Sequence, residues 1–136
     1  MSGEKNLQVL LQHMEPVKQQ GSYVFVSIPN PHEIRIDDVA MIFRESEGVT
    51  LILEQQRAIQ MGFADGQLMA WITLNVHSSL DAIGLTAAFS SVLTKNGISC
   101  NVVAGFYHDH IFVPLSQAGL ALDVLRSLSA KYNNKL

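Results

Sequence analysis

The chain has 136 residues, of which 48% are hydrophobic and 15% charged, with a formal net charge of −3. Charged residues usually make up about 25% of a soluble chain, so this apolar surplus has to be buried, and a second subunit is one place for it. Nine scattered basic residues without a basic run exclude the clustered Lys and Arg that nucleic-acid binding uses, and no apolar run is long enough to span a membrane.

The N-terminus, Met1 to Lys5, lacks the apolar core of a secretory signal. The single Cys100 can build neither an intrachain disulfide framework nor a Cys-rich zinc site. A cytoplasmic location is the expectation. Leu7, Leu10, Leu11 and Met14 recur at helical spacing and predict a short amphipathic helix over 6–15, stopped by Pro16. Tyr23 to Ile28 (YVFVSI) is rich in β-formers and reads as a strand, and 29–38, with Pro29 and Pro31, reads as loop. Val39 to Phe43 and Val49 to Leu53 read as strands around a turn in which Gly48 supplies the needed freedom. Gln55 to Met61 predicts a short helix ended by Gly62, and 63–67 (FADGQ) carries turn chemistry that marks a domain boundary.

In the second half, Leu68 to Val76 reads as a strand. Ser78 and Asp81 match a capping box, followed by a helix with Leu80, Ile83, Ala87, Val92 and Leu93 facing inward and stopped by Asn96 and Gly97. Ile98 to Ala104 and Ile111 to Val113 read as strands around the turn Tyr107, His108, Asp109. Ser116 then opens a helix with Leu120, Val124, Leu125 and Leu128 on one face, and the tail from Lys131 is expected to fray.

The halves repeat. Each runs strand, connection, strand, tight turn, strand, helix, and Ile52, Leu53 and Ala58 match Phe112, Val113 and Ala118 at a constant offset. The connection differs: 76–97 holds a full helix, whereas 29–38 is too short and Pro-rich for one. The first copy reads as a degenerate version of the second, with 1–67 and 68–136 as the two domains. The element order is most of a βαββαβ unit and gives an α+β class.

The runs WITLNVHSSLDAIG (71–84) and ISCNVVAGFYHDHIFVP (98–114) resemble the ACT domain, a regulatory module that binds amino acids. With EGVTLIL (47–53) and YHDHIFVP (107–114), the chain is similar to a bacterial family of short tandem-ACT proteins with no assigned reaction. The resemblance implies a ferredoxin-like fold in two tandem copies, association between copies as a homodimer or higher homo-oligomer, and a small-molecule site at such interfaces. One departure stands out: no fourth strand follows the last helix, and the open edge calls for Tyr23 to Ile28 or for another subunit.

The connection His77, Ser78, Ser79, Leu80, Asp81 and Gly84 is the first candidate site. Amides at a helix N-terminus favour anions such as a ligand carboxylate, and the resemblance places ligand contacts on this loop and its glycine. A helix cap plus a packing glycine is the plain alternative. Asn101 and Val102 on the next strand are expected across the same interface, Asn101 having both donors and acceptors. The resemblance names no cofactor. His77, His108, Asp109 and His110 form the most chemical-looking cluster, and a small metal-dependent enzyme is the alternative reading. Alternation in an extended segment sends Asp109 away from His108 and His110, which favours a structural turn. Cys100 in an apolar strand reads as an inert thiol. With no nucleophile elbow, phosphate loop or dinucleotide fingerprint present, a non-catalytic ligand-binding module ranks first, and a protein-protein interaction module without ligand ranks third.

Overall fold

The computed structural model describes residues 3–63 and 66–133. The chain forms two compact units, Met1–Gln19 with Ala70–Leu136, and Gln20–Met69. A division at 67/68 follows the order of the chain, whereas the spatial grouping places the N-terminal helix and the strand after it with the second half.

In the larger unit, helix α1 (Leu7–His13) starts at Asn6, whose side chain accepts the amide of Val9 at 3.2 Å. Strand β1 (Pro16–Lys18) pairs antiparallel with the later strand β5 (Met69–Leu74), Val17 opposite Thr73. On its other side β5 neighbours β7 (Asp109–Pro114), which pairs with β6 (Asn101–Ala104), so the order is β1-β5-β7-β6. Side-chain contacts show β5 and β7 running in opposite directions: Trp71 stacks on Phe112, Thr73 meets His110, and the Val76 carbonyl meets His108.

The open fourth-strand position is filled along Ile72–Leu74 by Pro16–Lys18, while Tyr23–Ile28 reaches β5 only where Tyr23 pairs with Met69. Three residues carry no legible periodicity, and Pro16 read as a helix stop is equally suited to open a strand, where no ladder amide is needed. Helices α1, α3 (Leu85–Lys95) and α4 (Ala118–Asn133) supply Leu10, Leu11, Phe89, Leu93 and Leu125 to a core that also takes Ile72, Leu74, Ile111 and Val113 from the sheet. The expected fraying from Lys131 does not occur as far as Asn133. Ser129 Oγ and Asn133 Nδ2 both donate to the Gln12 carbonyl, at 3.2 and 3.0 Å, and tie the end of α4 to α1.

The start of α3 also differs from expectation. The helix begins at Leu85, after Gly84 at φ +100°, and its buried residues are Leu85, Phe89 and Leu93. Leu80 and Ile83 are 70% and 86% exposed. The capping box does not form; Ser79 Oγ instead accepts the Asp81 amide at 3.1 Å in a local turn. The cause lies at the N-terminus. Glu4 bridges Ser78, donating its amide to the His77 carbonyl and accepting the Ser79 amide, both at 2.9 Å, which holds 77–79 extended.

In the smaller unit, β2 (Tyr23–Ile28), β3 (Met41–Arg44) and β4 (Val49–Glu54) form an antiparallel sheet in the order β3-β4-β2, followed by helix α2 (Gln55–Gln60). Val24, Ile28, Val49, Leu51, Leu53 and Ala58 form its core. The Pro-rich connection holds two single 3-10 turns, Pro31–Glu33 and Ile36–Asp38, where the larger unit has α3. The repeat is visible in backbone detail. Arg44 faces Val49 as Ala104 faces Asp109, and the Glu45 amide donates to the Gly48 carbonyl as the Gly105 amide donates to that of His108, both at 2.9 Å. Within the expected turn at 63–67, Ala64 and Asp65 lie outside the described residues.

Candidate functional site

The connection from β5 to α3 carries six of the eight expected site residues. His77 and Ser79 are joined to Glu4 through their backbones, and Ser78 is buried at the same bridge. Leu80 and Asp81 form the exposed turn, with Lys5 Nζ 3.7 Å from Asp81 Oδ2. Gly84 heads α3 with no side-chain cap, so among the described residues the amides of the first helical turn lack a side-chain partner. A β-carbon at Gly84 would lie 2.9 Å from Leu7 Cδ2. The missing side chain thus makes room for α1.

The hairpin β6–β7 stands beside this connection. The rings of His77 and Tyr107 are 5.2 Å apart, and His108 Nδ1 donates to the Val76 carbonyl at 3.0 Å, which places the proton on Nδ1. Within one copy, Asn101 is not brought to the loop. It pairs with Phe112, whereas the loop end of β6 is Ala104 opposite Asp109. Three strand steps separate them by about 10 Å. Asn101 Nδ2 donates to the Phe112 carbonyl at 3.3 Å, and Val102 is exposed on the strand that ends this unit's sheet.

His77, His108, Asp109 and His110 do not converge. Among the described residues, no group of three or more His, Cys, Asp or Glu side chains has a geometry that holds a metal ion. His110 shares the helix-free face with Trp71, whose Nε1–H donates to His110 Nδ1 at 3.0 Å, with Thr73 Oγ1 also at 3.0 Å. Indole N–H only donates, so His110 Nδ1 is unprotonated and the ring proton sits on Nε2. Burial, then the neighbouring His108, push the His110 pKa below its ordinary value. Asp109 lies on the opposite face with Ile111 and Val113; burial raises its pKa, and His108 partly opposes this. Burial pushes the Cys100 thiol up to about 11, so it stays protonated at neutral pH.

The smaller unit holds a cavity of about 500 Å³ that sequence reasoning did not mark. Ile28, Ile34, Met61 and Phe63 form its apolar wall, and Asn30, His32 and Arg57 its polar part. Arg57 Nη2 donates to Asp38 Oδ2 at 3.0 Å and Nη1 to Gln60 Oε1 at 3.1 Å, while Nε is buried without a hydrogen-bond partner among the described residues. The legible signal was the Pro-rich connection, too short to cover α2 as a helix would.

A split βαβ sheet with helices on one face, repeated once in degenerate form, defines a tandem ferredoxin-like protein. Two family models, each described as ACT domain, match residues 2–70 and 69–127, and the chain belongs to the ACT-domain family. ACT domains are ligand-binding regulatory modules. Among solved structures, the chain is similar to a protein of unknown function from Vibrio cholerae, described as a possible transport protein. The two are 44% identical over 92% of this chain and 97% of that one, with a TM-score of 0.81. It is also similar to a protein from Agrobacterium tumefaciens (20% identity, 85% and 89% covered, TM-score 0.68). A third likeness is to the ligand-free regulatory subunit of aspartate kinase from Thermus thermophilus (11% identity, 83% and 95% covered, TM-score 0.60). The last two likenesses show the fold alone. No curated protein matches the chain. Among the described residues, no helix is long and apolar enough to cross a membrane.

Proposed function

We propose that the chain is a stand-alone regulatory or sensor module that binds an amino-acid-like ligand between two copies of itself, without catalysing a reaction. The single observation that carries this reading is the uncapped start of α3 at Gly84, on the connection that follows β5 and beside the hairpin that ends in the exposed strand β6. Helix amides without a cap favour a carboxylate. An edge strand of this kind pairs with a second strand, and a two-fold pairing of β6 with its own copy is self-complementary. Centred between Val102 and Val103, antiparallel pairing sets the partner's Asn101 opposite Ala104, the end of β6 nearest the α3 connection. His77, Ser78, Ser79, Leu80, Asp81 and Gly84 of one copy then face Asn101 and Val102 of the other. Exposed Leu80, Ile83 and Phe106 supply apolar surface at the same end. Ligand binding regulates by favouring the state it binds more tightly.

Complementation between copies tests this placement. Ile83→Asp puts a competing carboxylate beside the α3 amides, and Asn101→Ala removes the side-chain amide; each alone should abolish binding of the amino acid that stabilises the wild type most. Co-refolded mixtures of the two should regain sites, because a mixed dimer rebuilds one intact loop-and-Asn101 pair. Mixtures that bind no better than either variant would contradict a site shared between copies.

A further inference from the structure

We infer that Asp109 receives the α-ammonium group of the ligand, so that the module recognises α-amino acids as zwitterions, with the carboxylate on the start of α3 and the ammonium on Asp109. This role rests on the proposed site at the α3 connection. It adds the group that tells an amino acid from a plain carboxylic acid.

The topology brings the two charges of such a ligand within reach of one end of the sheet. Asp109 opens β7, with its side chain on the helix side beside Ile111 and Val113. On that same side α3 contributes Leu85, Phe89 and Leu93 to the core. The far end of α3 lies past the end of β7, where Gln117, in the turn that follows β7, donates Nε2–H to the Gly97 carbonyl at 3.2 Å. Eleven residues of helix and six of strand each span about 16–20 Å, so the first turn of α3 comes down over Asp109. The connection into α3 leaves β5 at the same level, since the Val76 carbonyl meets His108. On the edge strand β6, the residue opposite Asp109 is Ala104, whose small methyl group leaves that approach open.

Asp109 is 9% exposed. Among the described residues its carboxylate has neither a hydrogen bond nor an ion pair, and each oxygen keeps accessible surface. It therefore does not fix the hairpin turn through its own backbone. Lys5, the cation beside the connection, is engaged with Asp81 instead. Burying a carboxylate without a partner is costly, and the fold has no need of one there. The repeat sets Val49 at this position of the first copy, opposite Arg44, and Val49 packs into that copy's core. The copy with a full helix over the position is the one that carries the carboxylate. A buried polar group kept without a partner calls for a functional reason, and an ammonium group supplies the charge-assisted bond that Asp109 lacks. The α3 amides attract a carboxylate, whereas Asp109 repels one. A molecule with both charges on one carbon satisfies both ends; a plain acid or a plain amine satisfies one.

The test compares the free amino acids with the acids that lack only the α-amino group, such as propanoate beside alanine, 4-methylpentanoate beside leucine and 3-phenylpropanoate beside phenylalanine. Binding to the full-length protein is read by thermal shift and then by titration calorimetry. The amino acid that binds the wild type should lose at least about tenfold in affinity with its amino group, the loss of one charge-assisted bond. Asp109→Asn, and Asp109→Val with the first copy's residue, should keep the fold and lose the same factor for the amino acid, while holding the des-amino acid no more weakly than the wild type does. Equal affinity for an amino acid and its des-amino acid, or full affinity in Asp109→Asn, would overturn the inference and leave the site at α3 standing. Binding of neither class would overturn both. If the variants fail to fold, the carbon-13 signal of the Asp109 carboxyl in the wild type decides: it should move with the amino acid and not with the des-amino acid, and a signal unmoved by either would overturn the inference.

Discussion

Trp71 Nε1–H points at His110 Nδ1 across 3.0 Å and fixes the imidazole as the neutral Nε2–H tautomer. Because burial and His108 depress its pKa, His110 stays neutral in the fold at pH values where it would charge in the unfolded chain. The unfolded state then binds the extra proton, so stability rises with pH through this window. The contribution of His110 is fully present above its ordinary pKa of 6.5 and is lost as pH falls from there through the depressed folded value. Trp71→Phe removes the donor that holds Nδ1 unprotonated and should cost about 0.5–1.5 kcal/mol. Nitrogen-15 NMR of the imidazole should report the Nε2–H tautomer in the wild type and a raised His110 pKa in Trp71→Phe.

Asp109 has the opposite sign. Its folded pKa is raised, so the native state holds a proton that the unfolded chain releases, and this group's contribution declines as pH rises from 3.8 through the folded value. Asp109→Asn should therefore raise the melting midpoint at pH 8 and leave it unchanged at pH 3. An unchanged midpoint at pH 8 would show that the carboxylate is solvated in the native state.

Gly84→Ala should destabilise the fold without any ligand present. The left-handed backbone at φ +100° costs an L-residue about 1–2 kcal/mol, and the contact with Leu7 Cδ2 adds to it. Leu7→Ala should relieve that contact, so the double variant should lose less than the sum of the two single changes. Additive losses in denaturant titration would mean that the backbone strain acts alone.

Leu11 is fully buried in the core of the larger unit, so Leu11→Ala should cost about 2–5 kcal/mol. That loss separates two roles for the first 19 residues. Urea unfolding should show the second-half sheet and helices destabilised with α1, because β1 completes that sheet. A variant with wild-type stability would mean that α1 is dispensable.

The strand and helix order was legible because the apolar runs at 69–74 and 109–114 and the helical period at 118–133 survive in the fold. The 60-residue offset also pointed to a repeat that reaches down to the hydrogen bonds of the two hairpin turns. What stayed hidden depends on distant parts of the chain. The three-residue β1 draws its pairing from β5, more than 50 residues on. Leu80 and Ile83 have helical spacing, yet Glu4 holds 77–79 extended and the helix waits for Gly84. For the candidate site, the opposed faces of Asp109 and His110 were legible in local pattern, whereas the expected capping box and helix start gave way to a turn and a left-handed Gly84. The distance of Asn101 from that loop was not legible, since it arises from tertiary placement.

The proposed shared site requires self-association through the exposed strand β6 and the apolar side chains Leu80, Ile83 and Phe106. Light scattering at micromolar concentration should give at least twice the 15.0 kDa of one chain. Val102→Lys, a charge on the edge strand, should shift the mass toward the monomer. A monomer across that range would contradict a site shared between copies.

The central claim, that this ACT-family chain binds an amino-acid-like ligand, is tested most directly by a thermal-shift screen of the wild type against the free amino acids at millimolar concentration. A ligand that binds only the native state, at about 100 times its Kd, adds about 2.7 kcal/mol of stability, so one amino acid or a small chemically related set should raise the melting midpoint by several degrees. A midpoint that no amino acid moves would contradict the account.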